Sequence, residues 1–151
     1  MHAHPLFADV AAPREARLDR WDLRWLTEAD LDEDYRAVVE SGARLQDFLG
    51  GDWPGSITRE ENRLDLAHHH VEFLARRSYA WVIREGGAYV GCAYLQPPWD
   101  PAAPMDAPFW FRTGAEAAEG DFAALWATWL SEPPWPAGMS IAVRWPGQRA
   151  G

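Results

Sequence analysis

The residues best suited to chemistry form a short list. His68, His69 and His70 are consecutive, and carboxylates flank them at Asp65 and Glu72. Successive helical residues point about 100° apart, so the three imidazoles cannot converge on one ion. Asp65 and His69 are spaced i, i+4, and His69 and Glu72 i, i+3, so each pair reaches a common point on one helix face. Such a pair suits proton transfer between imidazole and carboxylate. The stripe also continues into Arg76, the pattern of a solvated helix face, and no resident metal is expected. The single cysteine, Cys92, excludes an internal disulfide and a cysteine-built zinc site. It sits in the apolar run Val90-Gly91-Cys92-Ala93-Tyr94 and reads as a buried small residue. Phe109-Trp110-Phe111-Arg112-Thr113-Gly114 reads as a strand entering a glycine turn ahead of a helix. That arrangement aims backbone N–H groups at one point and suits a phosphate or pyrophosphate, with Arg112 adding charge.

These residues need elements to hold them. Residues 1–19 show no period and are expected to be a flexible lead-in, with 20–151 forming one domain. Asp22–Leu26 alternates as a strand does. Thr27 with Asp30 opens a helix to about Ser41, with Leu31, Tyr35, Val38 and Val39 on one face. A short helical piece over Ala43–Leu49 stops at Gly50-Gly51. Thr58-Arg59-Glu60-Glu61 caps a helix to about Arg77, whose apolar face would carry Leu64, Ala67, Val71, Leu74 and Ala75. Tyr79–Arg84 and Ala88–Leu95 flank Glu85-Gly86-Gly87 as a hairpin. Five prolines between Pro97 and Pro108 give a stiff connection before a strand at 109–112. Phe122, Leu125, Trp126 and Trp129 form a helical stripe capped by Asp121, and 139–145 is a last strand. Strands and helices are mixed along one chain, which is an α/β (α+β) domain.

Composition limits the partners. The chain has 151 residues, enough for one domain with its own core, and a net charge of −9. All basic residues are arginine, which removes lysine Schiff-base chemistry and a P-loop lysine. An acidic surface disfavours nucleic acid. No apolar run reaches the roughly 18 residues of a membrane span, and no secretory signal is visible, so a cytoplasmic protein is expected. Ten tryptophans exceed what a core of this size takes up, so several are expected on a cleft wall or a subunit interface.

The order of elements resembles the GNAT superfamily of acyl-CoA N-acyltransferases. The stretches that carry the likeness are Leu23 to Leu31, like the family's opening strand and helix, and Tyr89-Val90-Gly91-Cys92-Ala93-Tyr94, like its third strand. Gly51-Asp52-Trp53-Pro54, Thr58 to Phe73, Phe109-Trp110-Phe111-Arg112 and Val143-Arg144-Trp145-Pro146-Gly147 resemble a bacterial subgroup. The resemblance implies a mostly antiparallel sheet flanked by helices and opening after its fourth strand. Acetyl-CoA would lie in that opening, its pyrophosphate at Phe111, Arg112, Thr113 and Gly114. It also implies transfer of an acetyl group to a small amine. Backbone N–H groups of the fourth strand would polarise the thioester, with Asp52 or His69 as the base. Two departures stand out. The first glycine of the phosphate loop comes one residue early, with Glu116 and Glu119 adding negative charge, and the family's closing helix and two strands do not follow 139–145. The alternative implied is a catalytically silent module binding a small ligand or a protein partner through a tryptophan-rich surface. The missing strands would leave a sheet edge suited to a homodimer.

Overall fold

A computed structural model describes residues 2–148. Residues 149–151 of the expected domain lie outside the described residues. Six strands form one sheet in sequential order: β1 (Glu15–Leu18), β2 (Trp21–Trp25), β3 (Tyr79–Glu85), β4 (Ala88–Leu95), β5 (Met105–Phe111) and β6 (Ile141–Arg144). Every pairing is antiparallel except β5–β6, which is parallel. Helices α1 (Leu31–Glu40), α2 (Gly42–Leu45) and α3 (Arg59–Leu74) lie between β2 and β3 in sequence, and α4 (Glu119–Leu130) lies between β5 and β6.

The caps expected from sequence are present. Thr27 and Asp30 close a capping box on a 3-10 turn, Glu28–Asp30, that leads into α1. Thr58 and Glu61 close another on α3. The hairpin turns at Gly86 and Gly87, both with positive φ. Within 1–19, expected as a lead-in, Phe7 is fully buried and β1 pairs along β2. Helix α4 starts two residues before Asp121, and its N-cap Ala118 makes no side-chain cap bond.

Alternation along the strands divides the core into two layers. One face of the sheet carries Trp21, Leu23, Trp81, Phe109 and Phe111 against Phe122 and Trp126 of α4. The other carries Val82, Cys92, Tyr94 and Trp110 against Leu31, Val38, Leu45 and Leu66. Five tryptophans (21, 81, 110, 126 and 135) are buried, and Trp99 is fully exposed on the proline-rich loop. The core therefore takes more indoles than composition alone suggests.

Two expectations about buried faces are corrected. On α3 the inward residues are Asn62, Leu66 and Phe73, while Leu64, Val71 and Leu74 are exposed. On α1 Val39 is exposed and Asp34 is buried instead. Strand β5 begins at Met105, four residues earlier than expected, and runs through Pro108. Lacking an N–H, Pro108 interrupts the β4–β5 ladder between the Ala93–Phe109 pair and the Gln96–Asp106 bridge.

Candidate functional site

The β5–β6 ladder has four pairs, from Met105–Ile141 to Pro108–Arg144. The pairing stops there: β5 runs on to Phe111, whereas β6 ends at Arg144. Which groups at the unpaired end of β5 face the β6 side follows from strand alternation. The Arg112 N–H bonds to Val90 O of β4 at 2.7 Å, so the N–H and C=O of Phe111 point the other way, toward β6.

Both Phe111 groups are already engaged. The Phe111 N–H donates to Glu119 Oε2 at 3.0 Å. Arg44 of α2 donates through one guanidinium nitrogen to Phe111 O at 2.7 Å and through another to Glu119 Oε1 at 2.8 Å. The Glu119 side chain is 3% exposed. Burial raises its pKa, opposed by the Phe111 N–H and by Arg44. Glu119 is the first residue of α4, where the helix dipole favours a carboxylate.

The turn after β5 is saturated in the same way. Thr113 N–H donates to Ser41 Oγ at 2.9 Å. Gly114, with φ +100°, donates its N–H to the Glu116 carboxylate. The backbone N–H of Glu116 itself, and then that bond, lower the Glu116 pKa. Arg112 pairs with Glu40 of α1.

β5 and the chain from Arg144 onward also meet at two further points. The Trp145 indole stacks on Phe109 at 5.6 Å and 24°. Where the ladder ends, Asp106 binds Arg144 in a bidentate pair, at 2.9 Å to Nε and 3.0 Å to the second nitrogen, and accepts Gln96 Nε2 at 2.9 Å. Arg144 also donates to Phe48 O at 2.6 Å. Next along the chain, Gly147 lies against the buried carboxylate, and a Cβ built there would be 2.9 Å from Glu119 Oε1. Gly147→Ala is expected to lower stability by about 1–2 kcal/mol, because the two bonds on Glu119 prevent it from yielding. In a Glu119→Ala background the same change is expected to cost almost nothing, and a double-mutant cycle by urea denaturation reads the difference.

The candidate bases are not brought together. Asp52 is exposed in the loop before α3, held by Gln46 Nε2 at 3.0 Å, and lines a cleft with Trp53, Glu61 and Asp65. His69 is half-buried, with its ring 5.4 Å from Tyr94, and lines a different cleft of about 520 Å³ with His2, His4, His68, Glu72 and Gln96. Burial pushes the His69 pKa down to about 4, so its imidazole is neutral at pH 7. His68, on the same cleft, pairs with Glu72, and His70 pairs with Glu28. Among the described residues, no group of three or more His, Cys, Asp or Glu side chains is placed to hold a metal ion.

The charge of Glu119 is legible in sequence, but nothing local to it points to Arg44, 75 residues earlier, as its partner. The fit to an acyl-CoA can be judged from these contacts. The β5 edge and the turn that would hold the thioester and pyrophosphate spend their N–H groups on the chain's own Glu119, Ser41 and Glu116. The residues present do not fit that nucleotide.

Solved structures nonetheless share the architecture. The ribosomal L7/L12 alpha-N-protein acetyltransferase RimL in complex with coenzyme A aligns with a TM-score of 0.66 over 80% of this chain and 69% of that one, at 15% identity. The Salmonella typhimurium enzyme that modifies the N-terminal serine of L7/L12 aligns at 0.64 over 83% and 70%, at 12% identity. The microcin C7 self-immunity acetyltransferase MccE, solved with acetyl-CoA and AMP, aligns at 0.66 over 87% and 73%, at 11% identity. No family model matches the chain, and no curated protein resembles it significantly. The fold is that of the GNAT N-acyltransferases: a mixed α+β domain with a six-stranded, mostly antiparallel sheet flanked by helices. Among the described residues no helix is long and apolar enough to cross a membrane.

Proposed function

We propose that this chain is a binding module on the acetyltransferase fold, taking a small ligand or a protein partner without acyl-CoA chemistry. The observation that carries this reading is Glu119. Its buried carboxylate occupies the β5 edge and repels any phosphate brought to the adjoining turn. Glu116 adds a second negative charge on the Gly114 N–H. Trp99, fully exposed on the proline-rich loop, is a ready anchor for a partner.

A second reading is transfer of an acetyl group from acetyl-CoA to a small amine. It is favoured by the end of β5–β6 pairing at Pro108, short of the β5 terminus at Phe111, and by the coenzyme A and acetyl-CoA bound in fold neighbours. In that reading Asp52 or His69 would take the amine proton. A neutral His69 is available to accept one at pH 7, but its low pKa makes it a weak base. Calorimetric titration with acetyl-CoA separates the two. The module reading expects no saturable heat at 1 mM ligand, on the order of the weakest useful affinity. A Kd below about 100 μM would overturn it in favour of the transferase.

A further inference from the structure

We infer that Arg44 and the Phe111 N–H form a receptor for a small carboxylate, held shut in this state by the chain's own Glu119. The inference deepens the module reading and rests on the same buried side chain, but it names the ligand chemistry.

The geometry is that of a carboxylate clamp. One oxygen of Glu119 takes the Phe111 N–H at 3.0 Å and the other takes the Arg44 guanidinium at 2.8 Å. Two oxygens of a single planar group thus meet two donors from different elements, β5 and α2. Arg44 is fixed independently of its guest, because its other nitrogen donates to Phe111 O at 2.7 Å. The donors therefore remain in place when the carboxylate leaves. A guanidinium held this way favours a carboxylate over a halide through paired hydrogen bonds.

The groups facing Glu119 are few. Arg44 comes from α2, Glu116 from the turn, and the Phe111 amide from β5. Across it lies the uncharged backbone of Gly147. Thr113, Gly114, Glu116 and Ala117 before Glu119 and Gly120 after it are exposed, while Ala115 and Ala118 pack on the core. With Glu119 withdrawn, the Phe111 N–H and one edge of the partly buried Arg44 guanidinium, its side chain 24% exposed, would lack a partner that an external carboxylate supplies.

Chemical rescue tests this directly. Glu119→Ala removes the tethered carboxylate and leaves room for formate or acetate. In 100 mM sodium acetate at pH 7.5, compared with equal sodium chloride, the variant is expected to gain about 4 °C in Tm, saturably, with formate acting similarly. The wild type is expected to show no such difference. Adding Arg44→Met to Glu119→Ala is expected to abolish the acetate response. A Glu119→Ala protein indifferent to acetate, or a double variant that still responds, would overturn the inference. Should Glu119→Ala not fold, the wild type supplies the measurement. Its Phe111 amide proton, followed by NMR, is expected to shift in one step as Glu119 is protonated. A Phe111 profile flat down to the pH of acid unfolding would equally overturn the clamp. Binding of acetyl-CoA by the wild type would defeat the module reading while leaving these outcomes unchanged. Failed rescue would defeat the clamp while leaving the acetyl-CoA result unchanged.

Discussion

Trp81→Ala is expected to lower the unfolding free energy by about 4 kcal/mol, near the upper end for loss of a large core side chain. Trp81 is fully buried at the centre of the sheet. Its ring meets Phe73 of α3 at 5.7 Å, Trp126 of α4 at 5.7 Å and Trp135 at 6.0 Å, all near edge-on, with Tyr79 stacked at 6.0 Å. Its Nε1–H donates to Pro13 O at 2.8 Å, tying the segment before β1 to the core. Removing the indole opens a large cavity among rings too rigid to collapse into it, and leaves the Pro13 carbonyl without its donor. A domain with about 5–15 kcal/mol in total would lose much of its margin. Trp81→Phe keeps most of the ring contacts and is expected to lose only about half as much. Urea denaturation reads both, and a loss below about 1 kcal/mol for alanine would contradict the central role given to this ring.

Asp34→Ala is expected to cost about 3 kcal/mol, through hydrogen bonds rather than volume. Asp34 of α1 is 3% exposed, and its carboxylate accepts from three donors on two other elements. Tyr89 Oη–H and Cys92 Sγ–H come from β4, the latter at 3.5 Å. Asn62 Nδ2–H comes from α3 at 2.9 Å. Alanine leaves the asparagine amide without this partner, at about 1–3 kcal/mol for each buried group so abandoned. Asp34→Asn should be milder, because the Asn62 amide can turn to present its oxygen.

The same residue gives a pH dependence of definite sign. Burial raises the Asp34 pKa above its ordinary value of 3.8, outweighing the three donors. A carboxyl whose folded pKa is raised contributes stability that is fully present below its unfolded pKa and is lost as pH rises through the folded value. The stability of wild type relative to Asp34→Asn is therefore expected to decline as pH rises above the ordinary aspartate value of 3.8. Denaturation at several pH values checks it, and a difference that instead grows with pH would contradict the burial account. Cys92 shares this environment, and its thiol is pushed well up by burial and by Asp34, which keeps it protonated and unreactive.

What could be read from sequence was what depends on neighbours. Glu85-Gly86-Gly87 between two apolar runs fixes a hairpin, and Thr58 with Glu61 fixes a helix start, because the interacting groups lie within three residues of each other. The buried face of α3 could not be read this way. Hydropathy selects Leu64, Val71 and Leu74, but the inward positions include Asn62, whose amide donates to Asp34, 28 residues earlier. The first half of β5 was hidden for a related reason. Prolines argue against a strand, yet β5 tolerates Pro108 because only one ladder position toward β4 is lost and pairing resumes at the Gln96–Asp106 bridge. At the site, the charge of Glu119 was legible and its direction was not. Whether an acid in the first turn of a helix faces water or folds back on the preceding strand is decided by Arg44, from another part of the chain.

The ring cluster around Trp81 has an optical consequence. Trp126 and Trp129 lie 5.6 Å apart and nearly parallel, and Trp129 lies 5.4 Å from Trp81 and 5.6 Å from Trp135. At such separations an absorbed photon's energy hops between indoles before it is emitted. The light from these four residues is thus a shared output, depolarised even in a rigid molecule, and a change in its intensity tells that something has altered without telling where.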